Sequence, residues 1–195
     1  MDSKQPWFGY YFTLDQIYEY LSSLPEGRYN KTKNHEIFIT WVLAKYLEFQ
    51  KKSEHFIGFP SYENGKDLKL SDFIEKHLAI DDDNFDTVIV NSEDVRTPFR
   101  IQVKRYVNSK DVSTDHFLEY ICEKVNMYGN APEVNVTIHI QQKMKLDFPR
   151  LSELLKSRSF DIGSIIIFAE VPTDHKCFIV ELYPNYTGQL WSPII

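Results

Sequence analysis

Two strand-like segments follow each other in the middle of the chain, and they constrain its fold more than any other feature. The first, "FDTVIV", ends at Val90, and the second, "PFRIQVKRYV", begins at Pro98. Apolar and polar residues alternate from Phe99 to Lys104, which is the period of a β-strand with two different faces. Because the turn region from Asn91 to Pro98 is short, we predict that the two segments form an antiparallel hairpin.

The charges on this predicted hairpin are segregated by sign. Residues 81–94 contain six acidic and no basic residues, whereas residues 96–110 contain five basic and no acidic residues. The chain as a whole is acidic, with a formal net charge of -6. Adjacent blocks of opposite sign indicate a local site rather than a uniformly charged surface.

The remaining patterns predict an α/β (α+β) fold with a central mixed sheet flanked by helices. We predict helices over "FTLDQIYEYLSSL", capped by Thr13, over residues 35–51, capped by Asn34, and over "LSDFIEKHL", "STDHFLEYICEKVNMYG" and "FPRLSELLKSR". We predict strands over "HFIGFPSY", "VNVTIHI", "IGSIIIFAE" and "KCFIVELYP". One domain, 1–195, is expected, with a helical extension (1–30), a core (34–142) in αβββαβ order and a C-terminal α/β addition (143–195).

Composition excludes several classes of protein. No run of eighteen apolar residues occurs, so we expect no transmembrane helix and no membrane partner. Cys122 and Cys177 lie in apolar patterns, which predicts two buried thiols and a cytoplasmic location. The six histidines lack HxH or HExxH spacing, so we expect no zinc site. His139 is predicted to be half-exposed on its strand, with a position lining a cleft as the alternative.

The predicted hairpin carries the residue types that phosphodiester cleavage with Mg²⁺ requires. Asp86 lies at the start of its first strand, and Gln102 and Lys104 share one face of the second. Magnesium prefers hard oxygen ligands, which the Asp86 carboxylate, the Gln102 amide and the main-chain carbonyl of Val103 supply. Lys104 would orient the attacking water or offset charge on the phosphate. These residues are therefore the candidate catalytic and metal-binding residues.

An acid or amide two residues before a lysine is common, and context selects among the six instances. Only Gln102/Lys104 lies in an alternating strand with an acid-bearing strand directly before it. The rival is Gln141/Lys143, which continues the polar face of "VNVTIHI". That strand has no preceding hairpin partner with an aspartate, so Gln102/Lys104 is preferred.

The segment "IQVKRY", followed by "VS" and a helix beginning near Asp115, resembles the Mrr-like branch of the PD-(D/E)XK restriction-endonuclease-like superfamily. That branch has a QxK strand, and the predicted order of elements over residues 34–142 is similar to its core. The resemblance implies a DNA endonuclease that requires Mg²⁺ (or Mn²⁺), with a homodimer as an expected assembly. It also implies that Asp86 binds metal, that Gln102 and Lys104 form the QxK pair, and that Glu36 completes the metal site.

Alternative interpretations of these residues remain open. "DDDNF" stands where the family has a GxD turn, so Asp83 is the alternative to Asp86 as the ligand. Asp86 is also consistent with a turn cap, and Gln102 and Lys104 are also consistent with a solvated sheet face.

The glutamates and arginines also allow more than one interpretation. Glu36 is consistent with an acid in the first turn of its helix, stabilised by the helix dipole, and Glu48 is its alternative as a ligand. Arg100 and Arg105 are predicted to contact nucleic acid through its phosphates, or else to form ion pairs with residues 81–83. As a function, the alternative is an inactive module with this fold that binds a protein partner or nucleic acid.

Overall fold

The computed structural model describes residues 7–25, 32–61, 70, 87–107, 112–142, 144–171 and 176–191. This part of the chain contains four helices and an eight-stranded sheet whose strands follow the order of the chain. The predicted mixed α+β class is therefore confirmed, but the sheet is larger than predicted. The chain divides into two compact units, residues 1–100 (unit 1) and residues 101–195 (unit 2).

The described residues of unit 1 form two helices, three strands and the first part of a fourth strand. They are β1 (Trp7–Thr13), α1 (Leu14–Ser23), α2 (Thr32–Lys51), β2 (His55–Ser61) and β3 (Thr87–Asn91), followed by the first part of β4 (Asp94–Tyr106). β1 pairs antiparallel with β2, and β2 pairs antiparallel with β3. The residues before α1 were predicted only as part of a helical extension, so β1 is an additional strand.

Helix α1 begins where the sequence predicts. Thr13 is its N-cap: the Thr13 side chain accepts a hydrogen bond from the Gln16 amide, and the Gln16 side chain accepts one from the Thr13 amide in return. This reciprocal capping box satisfies two amide groups that a helix start otherwise leaves without partners. Leu14, Ile17 and Leu21 form the buried face of the helix.

Helix α2 begins at Thr32, so the prediction that Asn34 caps it was wrong. Asn34 lies inside the helix and is buried, and its side-chain oxygen accepts a hydrogen bond of 2.9 Å from the Tyr20 hydroxyl. The indole nitrogen of Trp41 donates to the main-chain oxygen of Leu14. As predicted from its apolar circumference, α2 buries consecutive residues on several sides, from Trp41 to Ala44.

The hairpin connection is shorter than predicted. Only Ser92 and Glu93 form the turn, and β4 already begins at Asp94, so the predicted turn region from Asn91 to Pro98 was too long. The Asn91 side-chain oxygen accepts a hydrogen bond of 2.8 Å from the Glu93 amide. Asparagine stabilises turns in this way, and a two-residue turn leaves β4 thirteen residues long.

The described residues of unit 2 form the rest of β4, two helices and four further strands. They are α3 (Thr114–Asn126), β5 (Ala131–Ile140), α4 (Phe148–Lys156), β6 (Ile162–Val171), β7 (Lys176–Tyr183) and β8 (Thr187–Trp191). β5 and β6 pair in parallel, whereas β6–β7 and β7–β8 pair antiparallel. All of the helices and strands predicted for this unit are present, and both cysteines are buried and free, as predicted.

The core of unit 2 forms where α3 and α4 cover one face of β5 and β6. Phe117 and Ile121 of α3 and Leu151 of α4 pack there with Ile138 and Ile167 of the two strands. Helix α3 has Ser113 as its N-cap, and the chain leaves its last turn through Gly129, whose φ of 57° suits glycine.

Gly58 of β2 occupies a position where a side chain does not fit. A Cβ atom there would lie 2.7 Å from Cγ2 of Val88 and 3.0 Å from the ring of Tyr11. We expect Gly58→Ala to lower the free energy of unfolding by about 1–3 kcal/mol, because neighbouring side chains must shift. Urea denaturation measures this change. Gly188→Ala is the control, because its Cβ would lie 3.5 Å from Val180; an equal loss in both variants would contradict the steric explanation.

Two predictions fall outside the described residues. The predicted helix over "LSDFIEKHL" does so except for Leu70, which is buried, and so does the acidic segment 81–86. Among the described helices, none has the length and apolar character needed to cross a membrane.

Candidate functional site

The QxK segment lies in β4, and its polar residues differ in exposure. Gln102 is buried, with 3% of its surface exposed, and Val103 on the other face is buried as well. The alternative that Gln102 belongs to a solvated sheet face is therefore wrong. Lys104, two residues on, is half-buried. In this arrangement the buried Gln102 amide can bind a ligand away from bulk water, and the Lys104 ammonium can still reach solvent.

The ammonium group of Lys104 lies against an aromatic ring. Its Nζ atom is 5.6 Å from the ring centroid of Tyr128, within the range of a cation–π interaction. Tyr128 follows the last turn of α3, where its amide donates to the main-chain oxygen of Val125, and its ring packs against the unit 2 core. The position of Lys104 is therefore linked to the end of α3.

The two arginines predicted to contact nucleic acid are half-buried, and both lie in β4. The main-chain oxygen of Arg105 accepts a hydrogen bond of 2.7 Å from the Tyr120 hydroxyl. Burial, followed by the charge of Glu123, raises the pKa of Tyr120 to about 12, so this hydroxyl stays protonated in the neutral range. The partners predicted for Arg100 and Arg105, residues 81–83, lie outside the described residues.

Removing the Tyr120 hydroxyl tests the hydrogen bond that it donates to the main chain of β4. We expect Tyr120→Phe to lower the free energy of unfolding by about 1 kcal/mol, because the Arg105 carbonyl loses a hydrogen bond. Since the folded-state pKa is raised above the ordinary value of 10.0, the tyrosine stabilises the fold fully below pH 10.0 and loses this effect as the pH rises through about 12. Denaturation of both proteins at pH 8 and pH 11 measures the difference, and a difference that grows with pH would contradict the assignment.

Glu36 lies in α2, in unit 1, and is buried with 8% of its surface exposed. The first turn of α2 contains no acid, so the alternative that Glu36 is a first-turn residue was wrong. Burial of a carboxyl group is costly unless a partner compensates it, and such groups are often functional.

A chain of hydroxyl groups connects Glu36 to the start of β3. Thr40 Oγ1 donates to the main-chain oxygen of Glu36 at 2.9 Å and lies 2.7 Å from Oγ1 of Thr87. Because Thr40 has one hydroxyl proton and gives it to Glu36, Thr87 is the donor in the second bond. Thr87 directly follows Asp86 in the sequence. The main chain of Glu36 is therefore two hydrogen bonds from the residue next to Asp86.

Asp86 and its alternative Asp83 both lie outside the described residues. Glu48, the alternative to Glu36, has a structural role: its carboxylate accepts a hydrogen bond from the His55 amide at 3.0 Å and pairs with Lys45 at 3.4 Å. In the rival motif Gln141 is exposed, and Lys143 is not among the described residues.

A second group of polar residues, which the sequence analysis did not combine, lies on β5 and β6. His139 has 2% of its surface exposed, so the prediction of a half-exposed histidine was wrong. Its Nε2 atom is 3.6 Å from Oε1 of Glu170, and the partial burial of Glu170 raises the pKa of its carboxyl group. The alternation of β5 indicated the face that His139 shares with Asn135 and Thr137, but no sequence signal indicated Glu170 as a neighbour.

No protein-family model, no curated protein and no solved structure matches the chain. The candidate sites therefore have to be judged from their own geometry.

Proposed function

We propose that this protein is a metal-dependent nuclease that hydrolyses phosphodiester bonds in DNA. In this proposal Gln102 and the carbonyl of Val103 contribute oxygen ligands for Mg²⁺ (or Mn²⁺), and Lys104 assists the attack of water. The metal-binding roles of Glu36 and Asp86 come from the resemblance to the PD-(D/E)XK superfamily.

The observation that carries the proposal is the hydrogen-bonded link in unit 1 between Glu36 and Thr87. The resemblance assigns metal binding to two acids that are fifty residues apart, Glu36 and Asp86. Thr40 bridges the main chain of the first acid to the residue that follows the second. Buried hydroxyl pairs of this kind fix the relative position of two segments, because breaking them leaves polar groups without partners.

The β4 segment supports the proposal independently. A glutamine side chain that is only 3% exposed is withdrawn from bulk water, as a metal ligand is, and Lys104 remains half-buried two residues away. The segment is also rich in basic residues, which suits contact with phosphate groups.

The order of elements gives further support. Among the helices and strands that the structure describes, α2, β2, β3, β4, α3 and β5 come in the αβββαβ order that the resemblance implies. The functional assignment itself rests on the site, because one fold serves many functions.

Cleavage of DNA by the purified protein tests the proposal. Plasmid DNA is incubated with the protein in Mg²⁺, in Mn²⁺ and in a chelator, and nicked and linear products are separated on a gel. We expect products with either metal and none with the chelator. Intact plasmid under all three conditions would contradict the proposal.

A second candidate function is a non-catalytic module that binds a protein partner. The formal net charge of -6 favours it, because polyanionic DNA repels a protein with a net negative charge. This candidate predicts no cleavage of plasmid DNA and no binding of Mg²⁺, so the cleavage assay and a titration with Mg²⁺ separate the two functions.

A further inference from the structure

His139 and Glu170 approach each other at a distance that suits two ligands of one cation. Their Nε2 and Oε1 atoms are 3.6 Å apart, which is too long for a hydrogen bond. Bonds from zinc to histidine nitrogen and carboxylate oxygen are about 2.0–2.2 Å long, so two ligands of one tetrahedral ion lie roughly 3.4 Å apart. The observed separation is close to this value.

His139 packs against an aromatic ring of the neighbouring strand. β5 and β6 run parallel, and His139 is opposite Phe168, whose ring centroid is 5.1 Å from that of the imidazole. Glu170 is two residues beyond Phe168 and so projects from the same face of β6. A ligand pair held on two neighbouring strands needs little rearrangement to bind an ion.

A third polar atom on this face is also buried. Thr137 precedes His139 by two residues, is fully buried, and its hydroxyl oxygen makes no hydrogen bond to any part of the chain that the structure describes. Buried hydroxyl groups are normally hydrogen-bonded, so one that is not needs an explanation, such as a bound water or ion. The same face of β5 and β6 therefore carries both the histidine–glutamate pair and the buried hydroxyl oxygen of Thr137, which has spare hydrogen-bonding capacity.

We propose that His139 and Glu170 bind a transition-metal dication of the zinc type. Imidazole nitrogen suits such ions, whereas Mg²⁺ prefers oxygen ligands, so this site differs in selectivity from the proposed nuclease site. The side chain of Glu170 is 49% exposed, which leaves the ion open to water for its remaining positions. Metal binding by His139 and Glu170 does not depend on the proposed nuclease activity.

Calorimetric titration of the whole protein with ZnCl₂ tests the site. We expect Glu170→Gln to weaken zinc binding about tenfold or more, because a neutral amide replaces an anionic ligand. Since Glu170 is half-exposed, this variant is the decisive one; His139→Gln is expected to have the same effect, with its fold checked by circular dichroism. Zinc affinity that is unchanged in Glu170→Gln, or no zinc binding by the wild-type protein, would overturn the proposal.

The chain offers a matched control for this experiment. His116 and Glu119 of α3 also form a histidine–glutamate pair, at 3.9 Å, but both side chains are mostly exposed. We expect Glu119→Gln to leave zinc binding unchanged. An equal loss from Glu119→Gln and Glu170→Gln would show general surface binding and would overturn the assignment to β5 and β6. Because DNA cleavage is not the readout, failure of this proposal is distinguishable from failure of the nuclease proposal.

Discussion

Lys104→Ala protein is expected to lose metal-dependent DNA cleavage while keeping its fold. An ammonium group that orients water or offsets charge on the phosphate contributes about a hundredfold to a thousandfold in rate. The cost in stability is small, about 0.5–1 kcal/mol, because the lost contact is a single cation–π interaction with Tyr128. The measurement is the initial rate of plasmid cleavage at saturating Mg²⁺, with urea denaturation of the same samples.

Lys124→Ala is the matched control for this prediction. The Lys124 ammonium also lies over an aromatic ring, 5.4 Å from the centroid of Tyr120, but it belongs to α3 and not to the QxK segment. We expect wild-type cleavage from this variant. Wild-type cleavage by Lys104→Ala would refute the catalytic role of the residue, and an equal loss in both variants would point to a general effect of charge.

Phe117→Ala is expected to give the largest loss of stability among the substitutions considered. The Phe117 side chain is fully buried in the core of unit 2, with its ring centroid 4.8 Å from that of Tyr106 and 6.3 Å from that of Tyr120. Removing the ring leaves a cavity beside the end of β4, and such changes cost about 3–5 kcal/mol. Urea denaturation, followed by circular dichroism, measures the loss.

The neighbouring residue supplies the control for this substitution. His116 is mostly exposed on the same helix, so His116→Ala is expected to change the free energy of unfolding by less than about 0.5 kcal/mol. A loss below about 1 kcal/mol in Phe117→Ala would contradict the view that this ring is central to the unit 2 core.

The sequence predicted those elements whose signals are local. Thr13 caps its helix as expected, because a cap and the apolar period that follows it lie within one or two turns. The strand over "IGSIIIFAE" was predicted from a continuous apolar run, and β6 is buried over residues 164–168. In both cases the residues that give the sequence signal lie close together in the chain.

The features that were missed depend on contacts between distant residues. β1 pairs with β2, which lies more than forty residues further along the chain, so its aromatic sequence alone did not reveal a strand. Asn34 was predicted as a cap from local propensity, but it lies inside α2, where its side chain accepts a hydrogen bond from Tyr20 of α1. Residues 134–140 of β5 are all buried, so an alternating pattern did not imply an exposed face there.

In the candidate sites, too, local patterns were predicted correctly and contacts between distant residues were missed. Alternation in β4 predicted that Gln102 and Lys104 share a face, but the burial of Gln102 depends on packing that the pattern does not contain. The bridge from Glu36 through Thr40 to Thr87 and the approach of His139 to Glu170 join residues on different elements. Tertiary packing alone determines such contacts.

Binding of Mg²⁺ by the purified protein tests the central claim most directly. Mg²⁺ is the appropriate ion, because the histidine–glutamate pair on β5 and β6 favours softer metals. Calorimetric titration with millimolar Mg²⁺ is predicted to give a binding isotherm for the wild-type protein that disappears in Asp86→Ala, with Asp83→Ala measured beside it to decide which aspartate is the ligand. No binding by the wild-type protein would contradict the claim that this chain is a metal-dependent nuclease. An isotherm that both variants share unchanged with the wild-type protein would contradict it as well.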